Sequence, residues 1–345
     1  MPAGDRPVRA RRRRPRRGCT YHLCRFVSLL LSGLALLLWV IQRHYVQHSA
    51  WTFTLTYGPQ IVYVFLPLGA AAVCLLLWQW RWVGYNLLLA LLVTQVFVCP
   101  TWPHLPRRAA PGQTVRVASW NLHEQIGRAR EMTNALAPLE ADIVCLQEAS
   151  HSSFRGLLPG YKAAQSHDVT TLTRGRIVSS RSYRLGSLPN WRYGLETVIE
   201  LPQGEVTVLN VHWLAVQMPI RVGLRWGDRE AFERSVLGRQ KQERVTLDWM
   251  STVSGPALLA GDLNTPPNVA EYRRLAGMAT DAWTAGRGLG FTFPRRRSVI
   301  RIDYVWCLGG VRPVHCQTLD GAVSDHLIVS ADVAVPAGSP EEGHE

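Results

Sequence analysis

The chain has no Cys-x-x-Cys pair, no Cys/His spacing of the kind that holds zinc, and no internal repeat. Its seven cysteines stand scattered at 19, 24, 74, 99, 145, 307 and 316, which excludes a zinc ribbon and a disulfide framework. Cys145 lies inside an apolar run and reads as a small core residue, while Cys307 and Cys316 are a pair that an oxidising compartment would allow to join. Formal charge is absent from residues 26–41, 61–78 and 83–98. A small-residue cleavage site is missing after the first of these runs, so a cleaved signal peptide does not account for them. Excess charge is also scarce in the second part of the chain. Of the net +13, residues 1–25 contribute nine Arg against one Asp, whereas 111–335 hold 25 Lys/Arg against 21 Asp/Glu. The high overall pI is therefore a property of the tail and gives little support to a basic groove for nucleic acid.

The three uncharged runs read as transmembrane helices at about 26–42, 60–78 and 83–99, slightly short of a bilayer crossing and extended by flanking Trp and Tyr anchors. Three buried helices of a soluble domain would show polar faces at helical period, and these runs do not. The tail at 1–25, with RARRRRPRR, reads as a topology signal, with contact to anionic lipid or nucleic acid as alternatives. A cytoplasmic N-terminus and three crossings put the remaining domain on the outer face of the cell membrane. Arg81 agrees with that scheme and Arg107 and Arg108 do not. Residues 100–113 carry four prolines and read as a stiff, extended linker of at most about 45 Å. A soluble domain is expected over 114–335, and an acidic tail over 336–345.

Within 114–335 a pattern recurs: a short β-branched apolar run ends at a carboxylate, amide or imidazole. RVASW ends at Asn121, DIVCLQ at Glu148, EVTVLNV at His212, PALLAG at Asp262 and Asn264, and VIRI at Asp303; Asp325 and His326 stand just before LIVSADV. Such runs read as buried strands, and strand ends are where α/β sheet proteins gather a site. Six polar strand ends are too many to be turns alone. Helices are expected between them at 124–139, 229–250 and 269–275, with the Arg239–Arg244 stretch on a solvated face or, alternatively, in contact with phosphate.

The ordered set WNLHE, LQE, NVHW, GDLN, RIDYVW and SDH resembles the endonuclease/exonuclease/phosphatase superfamily (deoxyribonuclease, sphingomyelinase and inositol 5-phosphatase-like), here as a membrane-anchored member of bacterial type. The resemblance implies an α/β four-layer sandwich of two mixed, mostly antiparallel sheets flanked by helices, with three transmembrane helices before it. It implies Mg²⁺, with Mn²⁺ as a substitute, held by Glu148, Asn121 and Asp325. Asp262 and Asn264 match the pair that activates water and binds phosphate oxygens, His212 and His326 the site imidazoles, and Asp303 the carboxylate that orients His326. Whether Asp262 or His326 takes the water proton stays open. His123 replaces the second metal-region Asp of abasic-site nucleases, and DVTTLTRGRIVSS lacks the Tyr and Glu with which deoxyribonucleases build a second carboxylate–histidine pair. Arg174 in that segment is a phosphate contact or a strand cap, and Arg295–Arg297 a head-group contact or a solvated turn. The apolar stretch holding Trp213, Met218, Ile220, Leu224 and Trp226 is a satellite core or a membrane-touching lip. The expected function is a membrane-anchored, Mg²⁺-dependent phosphoesterase acting on a diester or monoester, with a lipid head group as a candidate. A membrane-tethered nuclease and an inactive membrane scaffold are the alternatives. The expected partners are the lipid bilayer and a phosphate-ester substrate, lipid or nucleic acid; no protein partner is expected.

Overall fold

Short runs rich in apolar and β-branched residues build twelve strands among the described residues from Thr114 onward, several of them buried along their whole length, and their register sets where the polar strand ends meet. The computed structural model describes residues 18–44, 50–102, 105, 107, 114–124, 128–186, 192–215 and 228–336. The RARRRRPRR motif, most of the 100–113 linker, Met218, Ile220, Leu224, Trp226 and the acidic end lie outside the described residues. The strands are β1 (Thr114–Asn121), β2 (Ile143–Gln147), β3 (Lys162–Ser166), β4 (Val169–Thr173), β5 (Arg176–Arg184), β6 (Tyr193–Leu201), β7 (Gly204–His212), β8 (Ala257–Asp262), β9 (Thr280–Asp281), β10 (Asp303–Leu308), β11 (Arg312–Leu319) and β12 (Ile328–Ala334). They form two six-stranded sheets, ordered β11-β12-β1-β2-β4-β3 and β5-β6-β7-β8-β10-β9. Each sheet has one parallel pair at its centre, β1 with β2 and β7 with β8, and the other pairings are antiparallel.

The two sheets bury Val117, Ile143, Val208, Leu258, Val305 and Val329 between them. Helix α5 (Ala129–Leu136) adds Met132 and Leu136 to a cluster with Trp120 and Leu146. Helices α6 (Asp228–Thr252) and α7 (Ala270–Ala276) cover Leu209, Leu259 and Trp306 on the other sheet. Burying one such large side chain contributes about 1.5–3 kcal/mol. Two mixed sheets flanked by helices agree with the expected architecture. Cys307 and Cys316 are free thiols buried in the shared core. Burial pushes Cys307 up to about 12, so these side chains act as small hydrophobes.

Before the sheets come α1 (Cys19–His44), α2 (Ala50–Tyr57), α3 (Val62–Leu76) and α4 (Trp80–Val93), the last continued by a π turn over Thr94–Val98. Among the described residues, two helices are long and apolar enough to cross a membrane, Cys19–His44 and Trp80–Val98; a third span results if the bent pair Trp51–Tyr57 and Val62–Leu76 counts as one. Three continuous spans were expected; within the middle one, 60–78, α3 has 15 residues and reaches spanning length only together with α2, from which it bends by 78°. Gly58-Pro59 explains the break, because Pro59 has no N–H to continue α2. Side chains satisfy the exposed carbonyls at the bend: Gln60 Nε2 donates to Thr56 O (2.7 Å) and Gly58 O (2.8 Å), and Gln42 Nε2 to Leu55 O (3.0 Å). Asn86 donates to Ser28 Oγ at 2.8 Å, joining α4 to α1 through a buried polar contact.

These helices rest on the sheet domain directly. Phe53 and Tyr57, one turn apart on α2, pack with Val236 and Val269. Tyr57 Oη donates to Glu271 (2.5 Å), Asn268 Nδ2 donates to Gln42 Oε1 (2.9 Å), and Thr101 exchanges backbone hydrogen bonds with Gly288. The start of the 100–113 segment is thus pinned to the domain.

Candidate active site

Strand register gathers the polar ends. His212 pairs with Asp262 across β7 and β8, and Asp262 pairs with Asp303 across β8 and β10, so three functional side chains stand abreast on one sheet. Asn121 pairs with Gln147, next to Glu148, at the same end of the facing sheet. Asp303 opens β10, whereas the sequence suggested that VIRI ends there: β10 runs antiparallel to β8, so its first residue reaches the end where β8 finishes.

Asn121 links the sheets. Its Nδ2 donates to Glu148 Oε1 (3.1 Å) and to Asp262 Oδ2 (3.0 Å), while its Oδ1 accepts from the His123 N–H at 2.9 Å. Asp262 also accepts from the Asn264 N–H at 2.8 Å, and Asn264 Nδ2 donates to Trp213 O at 3.0 Å. Burial, then the charge of Asp303, raises the Asp262 carboxyl above its usual range, partly offset by His326, His212 and the Asn121 amide. His326 Nδ1 lies 3.0 Å from Asp303 Oδ2, leaving Nε2 at 3.9 Å from Asp262 Oδ2. Burial pulls the imidazolium down, but Asp303, Asp262 and Asp325 outweigh it and hold it at about 10. Asp325, more exposed, lies 3.5 Å from His123 Nδ1. Ser324 Oγ fixes this loop by donating to Asn121 O (2.6 Å) and accepting from the His326 N–H (3.0 Å).

Glu148, Asn264 and His123 all have left-handed backbones, with φ of 50°, 46° and 49°. Such conformations cost of order 1–3 kcal/mol and gather at functional sites. Gly261 has φ +145°, and a Cβ there would stand 1.9 Å from Val211 O. Only glycine lets β8 pass β7 closely enough to deliver Asp262.

Two partners escaped the sequence reading. Asp168, just before β4, lies 2.8 Å from His212 Nδ1 and turns Nε2 toward Glu148 (3.7 Å) and Asp262 (3.9 Å). A second carboxylate–histidine pair therefore exists, built from Asp168 in place of Tyr and Glu. The visible signal was Asp168 itself at the head of an apolar run, DVTTLT. Arg239, expected on a solvated face, is 3% exposed. Its guanidinium donates to Leu214 O (2.6 Å) and Thr265 Oγ1 (2.6 Å), tying the loop after His212 to the loop after Asp262. It lies 5.1 Å from the Tyr57 ring and 5.8 Å from Trp213.

Arg174 is not part of this group. β4 runs antiparallel to β2, so Asp168 is at the site end and Arg174 follows the opposite end, stacked 5.5 Å from Tyr161. Trp213 is fully buried with its indole N–H on Thr246, which assigns it to the core and not to a lip.

The donor set suits a hard divalent cation. Glu148, Asp262, Asp303 and Asp325 crowd one pocket, and among the described residues no Lys or Arg side chain is bonded to Glu148 or Asp262. Asp262, Asp303 and His326 offer atoms within 4.8 Å of one another. Since Nδ1 of His326 is engaged by Asp303 and Asp262 is buried, the open carboxylates for an oxygen-ligated ion are Glu148 and Asp325.

The sequence model of the Endonuclease/Exonuclease/phosphatase family matches residues 118–326. No curated protein matches the chain. Among solved structures, an endonuclease/exonuclease/phosphatase from Bacteroides vulgatus is similar at 17% identity and TM-score 0.52, covering 65% of this chain and 99% of that one. D. rerio TDP2 complexed with single strand DNA product matches at 17% identity and TM-score 0.50, covering 64% and 99%. The mannosyl-6-phosphatase Bt3783 of Bacteroides thetaiotaomicron does so at the same identity, TM-score and coverage. These likenesses concern the fold. With the family match spanning more than half of its residues, the chain belongs to the endonuclease/exonuclease/phosphatase family.

Proposed function

We propose, from this family membership, that the chain is a membrane-anchored, divalent-metal-dependent phosphoesterase whose substrate is a phosphate ester carried on a lipid. The observation that supports the lipid is the seating of the apolar helices: α2 lies against the loop that follows Asp262, through Asn268 and Val269. The catalytic group is then held at the bilayer surface, where a lipid head group needs no excursion to reach it. In this reading the N-terminus is cytoplasmic and the sheet domain faces outward.

Glu148, with Asn121 and Asp325 beside it, would hold magnesium or its substitute manganese, which when bound neutralises charge on the phosphoryl oxygens. Asp262, buried and with a raised carboxyl, is positioned to take the proton of the attacking water. Asn264 orients it through the N–H bonded to Oδ1. His326, charged at neutral pH and fixed by Asp303, donates from Nε2 to a phosphate oxygen. His212 stands on the other side of the site, its Nδ1–H held by Asp168 and its Nε2 turned toward Glu148 and Asp262.

A nuclease reading draws on Arg295, whose backbone N–H donates to Asp325 O at the site rim while its guanidinium pairs with Asp320, and on the DNA-bound relative. The test is a panel given to the full-length protein: bis-p-nitrophenyl phosphate, plasmid DNA and mixed-phospholipid vesicles, each with Mg²⁺ or EDTA. Metal-dependent cleavage of lipid without DNA cleavage supports the proposal. Efficient DNA cleavage replaces it with the nuclease, and no cleavage of any of the three by folded protein favours the scaffold.

A further inference from the structure

Two polar side chains of the apolar helices turn into the sheet domain. Gln42, near the end of α1, and Tyr57, at the end of α2, are both buried. A polar group on an apolar helix is costly without a partner, and the partners here serve one segment. Residues 263–269 join Asp262 at the end of β8 to Ala270 at the start of α7. They include Asn264, whose N–H fixes Asp262 Oδ1 (2.8 Å) from a left-handed backbone at φ 46°. A conformation of that kind persists only where the surroundings over-determine it.

Two routes run from the helices to this segment. The first is a relay of amides. Gln42 Nε2 donates to Gln60 Oε1 (2.8 Å) and to Leu55 O (3.0 Å). With its nitrogen engaged, Gln42 presents Oε1 to Asn268 Nδ2 at 2.9 Å, and that nitrogen also reaches Thr56 O (3.3 Å). The second route passes through Arg239. Its guanidinium, which donates to Leu214 O and Thr265 Oγ1, lies 5.1 Å from the Tyr57 ring. Tyr57 is itself held on two sides, stacked on Phe53 at 4.1 Å and donating to Glu271 in the first turn of α7. The segment is thus gripped at Asn268 by Gln42 and at Thr265 by a side chain that rests on Tyr57.

We infer that Gln42 and Tyr57 are positioning residues of the active site, so that the apolar helices are part of the catalytic unit as well as an anchor. The inference rests on the phosphoesterase reading above. Neither side chain touches the reacting atoms. They act through Asn268 and Arg239 on the segment that holds Asn264, and so on the aim of the Asp262 carboxylate. A displacement of about 1 Å is sufficient for roughly a hundredfold loss of rate. Glu148 and Asp325, on other loops, keep their places, so the loss falls on kcat and not on KM. Turnover at the sheet ends therefore follows how α1 and α2 are seated.

The experiment measures kcat and KM for bis-p-nitrophenyl phosphate with full-length protein in nanodiscs, well below the melting transition. Gln42→Met keeps the length of the side chain and removes the amide, and Tyr57→Leu removes the ring beside Arg239. Each is expected to lower kcat about tenfold or more with KM near wild type, and Tyr57→Phe, which keeps the ring, should fall less. Gln42→Asn and Asn268→Gln should each lower kcat, while the double variant, which restores the summed length of the amide pair, should recover most of it. Asn86→Leu breaks the contact between α4 and α1 within the helices; it should melt earlier with kcat as in wild type. Wild-type kcat in both Gln42→Met and Tyr57→Leu, or an equal fall in Asn86→Leu, overturns the inference. Amide hydrogen exchange gives a readout without turnover. Gln42→Met should raise exchange in the peptide spanning 263–269 and leave β1 and β2 as protected as in wild type. Unchanged exchange across 263–269 overturns the inference as well. If the wild type cleaves nothing, the phosphoesterase reading fails while exchange still decides whether the helices hold the segment.

Discussion

Arg239→Ala removes one buried side chain that touches both loops of the site. The guanidinium donates to Leu214 O and Thr265 Oγ1, each at 2.6 Å, and packs against the rings of Tyr57 and Trp213. Hydrogen bonds from a charged donor contribute about 1.5–3 kcal/mol each, and a buried cation over an aromatic ring about 2 kcal/mol. Relaxation around the gap recovers part of that, leaving a net loss of about 4 kcal/mol. For a region of this size a loss of 1 kcal/mol lowers the melting point by about 2–4 °C, so Arg239→Ala should melt about 8–16 °C earlier. Arg239→Lys keeps the charge but loses the fork, and should fall about halfway. The assay is thermal unfolding of the full-length chain in detergent, paired with kcat on bis-p-nitrophenyl phosphate well below the transition. A loop displacement of 1 Å is sufficient for about a hundredfold loss, so kcat should drop at least tenfold while the protein is folded. Melting within 2 °C of wild type together with unchanged kcat would refute the assignment of Arg239 as the clamp between the two loops.

Asp168→Asn should lower kcat by about 10–100-fold with a smaller change in KM, since the amide no longer fixes the His212 tautomer; steady-state kinetics check this. Gly261→Ala should cost more than about 3 kcal/mol, or prevent folding, because its Cβ meets Val211 O. Gly160→Ala, with positive φ but open space around it, should cost about 1 kcal/mol in the same denaturation series. In metal-free protein His326 should stay protonated at pH 8, and Asp303→Asn should return it toward the ordinary histidine range, as read by imidazole NMR. The sign follows from a raised folded value: this stabilisation is full below about 6.5 and is lost as pH rises through about 10. Stability of wild type should therefore decline over that window, and that of Asp303→Asn should not.

The sites that were legible in the sequence are those where an apolar run stops at a chemical residue. Asn121, His212 and Asp262 end parallel strands, and the run preceding each announces it. Asp168 was missed, and Arg174 left open between a phosphate contact and a strand cap, for one reason: β4 is antiparallel to β2, so its beginning, not its end, reaches the site. Strand direction is a pairing property and does not appear in a five-residue run such as VTTLT. Arg239 was hidden by its company, since Lys241 and Arg244 beside it are exposed and the stretch looks uniformly solvated. The bend between α2 and α3 has its signal in Gly58-Pro59, just before the expected span at 60–78; α2 itself, with three Thr among its eight residues, lies outside the hydropathic runs. The seating of α2 and α1 on the sheet domain, through Tyr57 with Glu271 and Gln42 with Asn268, depends on contacts 214 and 226 residues apart that no local pattern contains.

The most direct test of the central claim is the turnover of bis-p-nitrophenyl phosphate by the full-length protein as metal is removed and returned. EDTA should abolish turnover, Mg²⁺ or Mn²⁺ should restore it, and Glu148→Gln and Asp262→Asn should remain inactive in either metal while melting cooperatively. Turnover that survives EDTA, or Glu148→Gln working at the wild-type rate, would contradict the account.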